Sequence, residues 1–300
     1  MPKLSIAVIT MNRAEQLKEA LASCLACELP EGTEFVIIDN ASTDHTADAV
    51  KETMQNCGHP YYYEKLPENL GVGGGRNYAY DKATGDYTYV LDDDAVIDVE
   101  GNPDFFTRAV AIMDEHPVIA SLTTQIYDTA WERDRVTPDG EEFTKGLYKN
   151  IMFYGGSHFL RRTFFASAPY LSNKYGYEEI PPSLRAMNAK MINAYVPSLR
   201  IIHKPAVNKW DWSEEKNHAL LIKGHAIPHA IKKMMYPRIA APLLCLAQAR
   251  RRKLYLQNVP NAKAEIKKAE KNFMRESPIK EKIKLSTLFR MVKDFKLSTF

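Results

Sequence analysis

Short apolar runs alternate with helical patterns over residues 4–95, and this alternation constrains the fold more than any other feature. The runs 4–10, 35–39, 61–65 and 87–91 predict strands. Strands that alternate with helices of ordinary length form βαβ units and a parallel sheet. The predicted fold class is therefore α/β, a Rossmann-like, mostly parallel sheet flanked by helices. The helices between the strands are predicted at residues 13–25, 46–54 and 77–83.

Polar residues directly follow three of these strands. Thr10 ends the first run and precedes Asn12 and Arg13, Asp39 ends the second, and Asp92–Asp94 follow the fourth. Ligands of parallel α/β sheets bind outside the carboxyl ends of the strands. We therefore predict that one site collects all three groups.

The triplet Asp92, Asp93 and Asp94 is the sharpest chemical feature. Three adjacent carboxylates repel one another unless a cation lies among them. Such oxygen ligands suit Mg²⁺ or Mn²⁺, usually shared with substrate phosphates. The alternative is a solvated acidic turn, but the position at a strand end favours a metal–phosphate site.

A glycine-rich segment covers residues 71–77. It matches neither a dinucleotide-binding fingerprint nor a Walker A loop. We interpret residues 71–75 as a flexible turn in which Gly74 permits close backbone approach, while Arg76 holds an anion. The alternative is an ordinary glycine-rich turn.

Two further groups carry candidate chemistry. Glu178 and Glu179 follow the aromatic segment 175–177, and aromatic packing beside a carboxylate raises its pKa, which suits a general base. Their alternative is a pair of solvated acids at a helix start. His203 ends a predicted strand (194–203), and a lone histidine there is more often structural than a ligand.

Charge divides the chain into two unequal parts. Residues 200–300 hold 23 Lys and Arg against 8 Asp and Glu, a net charge of +15, whereas residues 1–199 carry −12. A basic C-terminal region of this kind suits a polyanion, either nucleic acid or an anionic membrane. The alternative is a solubilising surface.

The C-terminal region is predicted to be helical after residue 210 and amphipathic over 279–295. Lysines accompany this helix and 250–253 adds a second basic patch, so we expect a peripheral contact with an anionic membrane. The acidic first part and the lack of aromatic interleaving in the tail argue against nucleic acid. The alternative is that these helices pack on the rest of the protein. The apolar face of the predicted helix comprises Ile279, Ile283, Leu288, Met291, Val292 and Phe295.

Other patterns restrict the class of protein. No run of about 18 apolar residues occurs, so we expect no membrane span, and the first residues do not form a signal peptide. Cys24 and Cys27 are interpreted as helix-core cysteines rather than a zinc or redox site, because no second pair accompanies them. The expected location is the reducing cytoplasm. The remaining middle segments are predicted as an irregular substrate-facing loop at 127–150 and a helix at 180–190.

Seven segments, taken in order, resemble the family 2 glycosyltransferases with the glycosyltransferase A fold. The resemblance covers about residues 4–205 and predicts a catalytic domain at 1–208, followed by a basic helical region at 209–300. The segments are ITMNR (9–13), VIIDNASTD (36–44), NLGVGGGRNYA (69–79), ATGDYTYVLDDDA (83–95), YGGSHFLRR (154–162), YGYEEIPPSLR (175–185) and YVPSLRIIH (195–203).

This resemblance implies roles for particular residues. Glu179 would be the base that deprotonates the acceptor, and Mn²⁺ or Mg²⁺ would bind Asp92, Asp94 and His203. Asn12, Arg13 and Asp39 would hold the base and ribose of the donor. The full predicted donor-binding set is Thr10, Asn12, Arg13, Asp39, Asn40, Gly74, Arg76, Asn77, Asp92 and Asp93.

The implied reaction is an inverting, metal-dependent transfer from a nucleotide-diphospho-sugar to a carbohydrate or lipid-linked acceptor. A finer resemblance to bacterial galactofuranosyl- and rhamnosyltransferases suggests surface polysaccharide or glycolipid assembly. One departure concerns the acidic motif, where the family usually has Glu-Asp-x-Asp-Leu. Here Glu179 fills the base position and Pro181 replaces the second acid.

Two other functions remain open from the sequence. A sugar nucleotidyltransferase shares the sheet and the acidic site, but it usually has a Gly- and Lys-rich signature after the first strand, where this chain reads MNRAEQ. A catalytically weak sugar-nucleotide-binding protein would explain Pro181.

Overall fold

A computed structural model describes residues 3–172, 176–207, 213–241, 256 and 258–295. The chain divides into two compact units, one formed by residues 1–186 and 190–207 and the other by 187–189 and 208–300. The elements up to residue 203 are β1 (Leu4–Thr10), α1 (Ala14–Leu25), β2 (Glu34–Asp39), α2 (Thr46–Met54), β3 (Tyr61–Lys65), α3 (Gly71–Lys82), β4 (Tyr87–Asp92), β5 (Ala95–Ile97), α4 (Phe105–Glu115), β6 (Ile119–Asp128), β7 (Arg133–Asp134), β8 (Glu142–Thr144), β9 (Leu147–Asn150), β10 (Ser157–Arg161), α5 (Ile180–Asn188) and β11 (Ile192–His203).

The strands form one sheet in the order β3-β2-β1-β4-β10-β6-β11-β9-β8. The strands β3, β2, β1 and β4 pair in parallel, as do β6 and β11. Because β10 is antiparallel to both β4 and β6, these six strands all run in the same direction. The predicted α/β architecture with a mostly parallel sheet is confirmed.

Both faces of the sheet are buried at β1, β2 and β4, which is why these strands are nearly continuous apolar runs, whereas the edge strand β3 is largely exposed. Leu4 and Ile6 belong to one core cluster, whereas Ala7 and Val36 belong to another. Successive side chains of a strand point to opposite faces, so each strand supplies both cores. Cys24 lies buried in α1, as the helix-core interpretation predicts.

The glycine-rich segment is helical, and its prediction as a flexible turn is wrong. α3 begins at Gly71 and runs through the glycines to Lys82. A Cβ on Gly74 would lie 2.8 Å from the Cβ of Leu70, and one on Gly75 would lie 2.9 Å from Cγ2 of Ile9. Close packing against Leu70 at Gly74 and against β1 at Gly75 therefore selects glycine here and outweighs its poor helix propensity, about 1 kcal/mol per residue.

Two other boundaries differ from the sequence prediction. Residues 127–150, predicted to be irregular, contain β7, β8 and β9. β6 continues to Asp128, into the segment predicted to be irregular, because it pairs with β11 along this stretch. The longer strand brings an unpredicted carboxylate to the same sheet edge as His203.

The second unit is helical in its described part, as predicted. α6 (Glu214–Met235), α7 (Ala262–Glu276) and α8 (Leu285–Phe295) are its helices there. Glu270 is buried and forms ion pairs with His229 and Lys233. None of the described helices has both the length and the apolarity needed to span a bilayer. The predicted patch at 250–253 lies outside the described residues.

Candidate active site

Six parallel strands end at one edge of the sheet, and each of them ends in a polar residue, Lys65 in the case of β3. Thr10, Asp39 and Asp92 end β1, β2 and β4, while Asp128 and His203 end β6 and β11. Parallel strands present their carboxyl ends together, where ligands of such sheets bind. The predicted groups therefore share one edge, joined there by Asp128.

The turns after β1 and β2 are fixed to each other. Asn12, with a φ of 56°, accepts a 2.7 Å hydrogen bond from the N–H of Thr43, and its own N–H donates to Oγ of Ser42. The N–H of Ser42 donates to Oδ1 of Asp39 at 2.7 Å, and the hydroxyl of Tyr63 donates to Oδ2 at 3.0 Å. Asn12 and Asp39 thus belong to one rigid rim at the predicted nucleoside position.

Asn40 and Asn77 hold backbone segments. Oδ1 of Asn40 accepts a 2.9 Å hydrogen bond from the N–H of Leu70, which fixes the start of α3. The backbone N–H of Asn40 donates to the carbonyl of Thr10. Asn77 exchanges two 2.9 Å hydrogen bonds with the backbone of Tyr170. Both side chains therefore position the segments that surround the edge, and their direct contact with a donor stays a prediction.

Arg76 connects the strand end to the acidic pair. Its Nη1 donates to Oε1 of Glu178 at 2.7 Å and to Oε1 of Glu179 at 2.9 Å. Its Nη2 donates to Oδ1 of Asp92 at 2.7 Å and to the carbonyl of Gly155 at 3.0 Å. The side chain is only 4% exposed, and although burial opposes it, the three carboxylates raise the pKa of Arg76. Arg76, predicted to bind an anion, is thus a cation enclosed by the protein's own carboxylates.

Gly155 leaves the space that this cluster occupies. A Cβ atom on residue 155 would overlap Oε1 of Glu179 and would lie 2.8 Å from Nη1 of Arg76. Gly155 belongs to the segment YGGSHFLRR (154–162), but the sequence did not identify it as a residue of the site. The sequence signal that could have identified Gly155 is the pair of adjacent glycines, 155 and 156, directly before β10.

Glu178 and Glu179 are buried side by side before α5. Burial, followed by the charge of Glu178, raises the pKa of Glu179 to about 8, against the opposing charge of Arg76. Oε2 of Glu178 has no hydrogen-bond partner among the described residues. Pro181 lies in the first turn of α5, where a missing N–H costs little, so it fits the helix without entering this cluster.

Arg13 holds the other two aspartates. Its Nη1 lies 2.8 Å from Oδ1 of Asp93 and 2.7 Å from Oδ2 of Asp94. Burial raises the pKa of Asp93 to about 6, although Arg13 opposes this shift. Arg13 therefore partly balances the charge of the triplet, whose third member, Asp92, pairs with Arg76.

His203 lies between Asp94 and Asp128. Its Nδ1 donates to Oδ2 of Asp128 at 2.8 Å, and its Nε2 lies 3.3 Å from Oδ1 of Asp94. Asp128 is fully buried, and its Oδ1 accepts from the N–H groups of Ala130 and Trp131. Although burial opposes it, the two aspartates raise the pKa of His203. Burial likewise opposes the charge of Asp94, but His203 and Arg13 together lower its pKa.

The residues present fit a divalent cation at Asp94 and His203. A carboxylate oxygen and an imidazole nitrogen face each other there, and Asp128 orients the ring from behind, as in many carboxylate–histidine–metal arrangements. In the part of the chain that the structure describes, however, no three His, Cys, Asp or Glu side chains converge on one point. The three predicted ligands, Asp92, Asp94 and His203, are therefore not gathered around one point here. Asp92 instead forms an ion pair with Arg76.

Comparison with known sequences identifies one family. The sequence model described as "Glycosyl transferase family 2" matches residues 5–168. The poly-beta-1,6-N-acetyl-D-glucosamine synthase of Staphylococcus epidermidis is 33% identical over 95 residues, which are 32% of this chain and 22% of that protein. This chain thus covers about a fifth of the length of that relative.

Solved structures with the same architecture bind nucleotide sugars. Staphylococcus aureus TarS 1-349, in complex with UDP-GlcNAc, matches with a TM-score of 0.64 at 17% identity over 92% of this chain and 82% of that chain. The mannosyltransferase PcManGT from Pyrobaculum calidifontis, in complex with GDP-Man and Mn²⁺, matches with a TM-score of 0.58 at 16% identity, covering 100% of this chain and 81% of that chain. At these identities the likeness shows the fold.

Proposed function

Because the chain belongs to glycosyl transferase family 2 and has the glycosyltransferase A fold, we propose that it transfers a sugar from a nucleotide-diphospho-sugar to an acceptor hydroxyl. One observation carries this proposal: Arg76 joins Asp92, at a strand end, to the buried carboxylate of Glu179. The reaction needs a departing diphosphate and an acceptor hydroxyl on either side of one anomeric carbon. In this proposal the anomeric carbon would lie between the two carboxylates that Arg76 holds.

The donor would lie along the ends of β1, β2 and β4. Asn12 and Asp39 belong to the fixed rim there, which supports contacts to the base and ribose. Arg13 is half-exposed beside the aspartates, so it has a cationic group to offer to a diphosphate. The UDP-GlcNAc bound to TarS and the GDP-Man bound to PcManGT support a nucleotide-sugar donor.

Asp94 and His203 would hold Mn²⁺ or Mg²⁺, with Asp128 orienting the imidazole. A divalent cation in that position neutralises charge that develops on a leaving diphosphate. The Mn²⁺ in PcManGT supports this assignment. Asp92 would act through Arg76, unless donor binding releases it from that contact.

Glu179 would be the general base. In its ionised form it accepts the proton of the acceptor hydroxyl, whose oxygen bonds to the anomeric carbon as the bond to the diphosphate oxygen breaks. Arg76 stabilises the ionised carboxylate, whereas burial and Glu178 disfavour it. One base and one displacement give inversion at the anomeric carbon.

The acceptor would be a carbohydrate or a lipid-linked sugar in polysaccharide or glycolipid assembly at the cytoplasmic face of a membrane. The activity named for the Staphylococcus epidermidis synthase supports a polysaccharide product. The net charge of +15 over residues 200–300 supports a location beside anionic lipid.

The test combines donor binding with turnover. The protein is incubated with UDP-, GDP- and dTDP-sugars with and without Mn²⁺, and both the thermal shift and the release of nucleoside diphosphate are measured. Glu179→Gln should keep the donor-dependent shift and lose turnover, and the anomeric configuration of the product reports inversion. Unchanged turnover in Glu179→Gln would exclude this base, and a donor shift without turnover in the unaltered protein would indicate a binding protein. Release of pyrophosphate from a nucleoside triphosphate would indicate a nucleotidyltransferase.

A further inference from the structure

Most of the apolar face predicted to contact a membrane is buried: Ile283, Leu288, Met291 and Phe295 are buried, whereas Ile279 and Val292 are partly exposed. The helix begins at Leu285 rather than at Ile279, because the N–H of Ile283 donates to the carbonyl of Met235 instead of to a helical partner. On α8, the side chains of Leu288, Met291 and Phe295 are buried. Most of the face that the sequence pattern predicted is therefore not available to a lipid surface.

A different face of α8 is exposed. Leu285, Phe289 and Lys293 follow at intervals of four residues, so they lie along one side of the helix. Leu285 is 44% exposed and Phe289 is 68% exposed. We call these three residues the α8 stripe. A phenylalanine exposed to this extent, next to an exposed leucine, is an apolar surface that packing within the unit does not explain.

Exposed apolar side chains are concentrated in this unit. Of the eleven large hydrophobic side chains that are exposed among the described residues, five lie beyond residue 208. The same region is strongly basic, with 21 Lys and Arg against 8 Asp and Glu over residues 209–300. Lys293 of the α8 stripe is exposed, and so are Lys280 and Lys284 in the segment that leads into α8.

We propose that the α8 stripe binds the surface of an anionic membrane, with Leu285 and Phe289 entering the headgroup boundary and the neighbouring lysines facing lipid phosphates. Apolar side chains set among lysines on an amphipathic helix are the features that hold a helix in such a boundary. The charge argues for this occupant over a second copy of the chain, because two regions with a net charge of +13 repel each other. Nucleic acid would reward the lysines but not the exposed Leu285.

The measurement is co-sedimentation of the full chain with vesicles, without donor or metal, so that it does not depend on the transfer reaction. The vesicles contain phosphatidylglycerol mixed with phosphatidylcholine, and phosphatidylcholine alone serves as the neutral comparison. The protein should pellet with the anionic vesicles at low salt and less at high salt. Its failure to pellet at low salt would overturn the proposal and leave the proposed transferase function untouched.

Two sets of variants assign the binding to the α8 stripe. The double variant Leu285→Ala with Phe289→Ala should lower the partition coefficient about tenfold or more, because it removes the inserting groups. Each of Lys280→Gln, Lys284→Gln and Lys293→Gln should lower it about fivefold at low salt. The matched control is Val118→Ala, which truncates a side chain 39% exposed in the first unit and should leave binding unchanged.

Three outcomes would contradict the assignment. The double alanine variant could pellet as well as the unaltered protein, or Val118→Ala could reduce pelleting equally. The double variant could also convert a dimer to a monomer in light scattering with no change in pelleting, which would identify a second copy as the occupant. Unchanged thermal unfolding and donor turnover in solution would show that these exposed substitutions leave the fold intact.

Discussion

Glu179 occupies the space that a side chain on Gly155 would need. A Cβ on residue 155 would overlap Oε1 of Glu179, and it would also lie 2.9 Å from Nη2 of Arg76. The carbonyl of Gly155 accepts a hydrogen bond from that same Nη2. The loop before β10 therefore fixes both the position of the acidic pair and the position of the cation that balances it.

Gly155→Ala should lower kcat about 10²-fold, because a displacement of roughly 1 Å in a catalytic group has that effect. Donor affinity, measured by the thermal shift, should change less. Gly156→Ala is the matched control: its Cβ would meet the side-chain end of Ile126 at 3.2 Å, which can move aside. Wild-type kcat in Gly155→Ala would show that this space does not position the base.

The rate should depend on pH through the acidic pair. With the pKa of Glu179 raised to about 8, kcat should rise with pH and level off above that value. Glu179→Gln should lower kcat by about 10²–10⁴ on the plateau at high pH and should abolish the rise with pH. Glu178→Gln removes a negative charge beside the base, so the rise in kcat should move to lower pH. A pH profile unchanged by Glu178→Gln would contradict the electrostatic coupling of the two residues.

Asp128 should control the affinity for a divalent cation, although it does not face the proposed cation position. Asp128→Asn weakens the support of the His203 ring and should reduce Mn²⁺ affinity by about 10–100-fold. Titration of Mn²⁺ followed by electron paramagnetic resonance measures this without turnover. Asp134→Asn is a suitable control, because that carboxylate is half-exposed and pairs with Arg200 on the surface. Equal Mn²⁺ affinity in both variants would remove Asp128 from the cation site.

Acid should destabilise the second unit through Glu270. Although burial opposes the shift, His229 and Lys233 lower the pKa of Glu270 to about 2. The ionised form is therefore stabilised in the folded state, and this stability should be present above the ordinary pKa of 4.5 and lost as pH falls from 4.5 towards 2. Glu270→Gln should lose about 3 kcal/mol at neutral pH and show a weaker dependence on acid.

Urea unfolding at a series of pH values measures this effect. Glu276→Gln is the control, since Glu276 is exposed and pairs with the adjacent Arg275 at the surface. Parallel acid profiles for the unaltered protein and Glu270→Gln would show that the buried ion pairs do not contribute in this range.

Apolar runs predicted the sheet because their pattern is local. The strand at Leu4–Thr10 and the strand at Tyr61–Lys65 have the predicted bounds, and the carboxylates at the ends of β2 and β4 followed from them. Buried parallel strands need continuous apolar residues, so such strands can be recognised in the sequence. The charged ends are equally visible, because a polar residue directly after such a run must leave the core.

Features set by contacts between distant segments were not visible in this way. The helical start of α3 depends on glycine packing against Ile9, and the true end of β6 depends on pairing with β11. The low helix propensity of glycine contradicts the helical start of α3. Local propensity gives no information on where β6 ends. Asp128 and Gly155 were missed for this reason: each acts through a partner far away in the chain, His203 in one case and Glu179 in the other.

The position of β11 has a consequence for synthesis on the ribosome. β11 is the last strand among the described residues but lies inside the sheet, between β6 and β9. Until residue 203 has emerged, a nascent chain exposes the unpaired edge of β6, and Asp128 has no imidazole to orient. Asp39 and Asp92, the acidic residues at the ends of β2 and β4, have already been synthesised by then. The same late strand thus covers the exposed edge of β6 and supplies the histidine. Protection from edge-to-edge aggregation and completion of the Asp128–His203 pair therefore come in the same step.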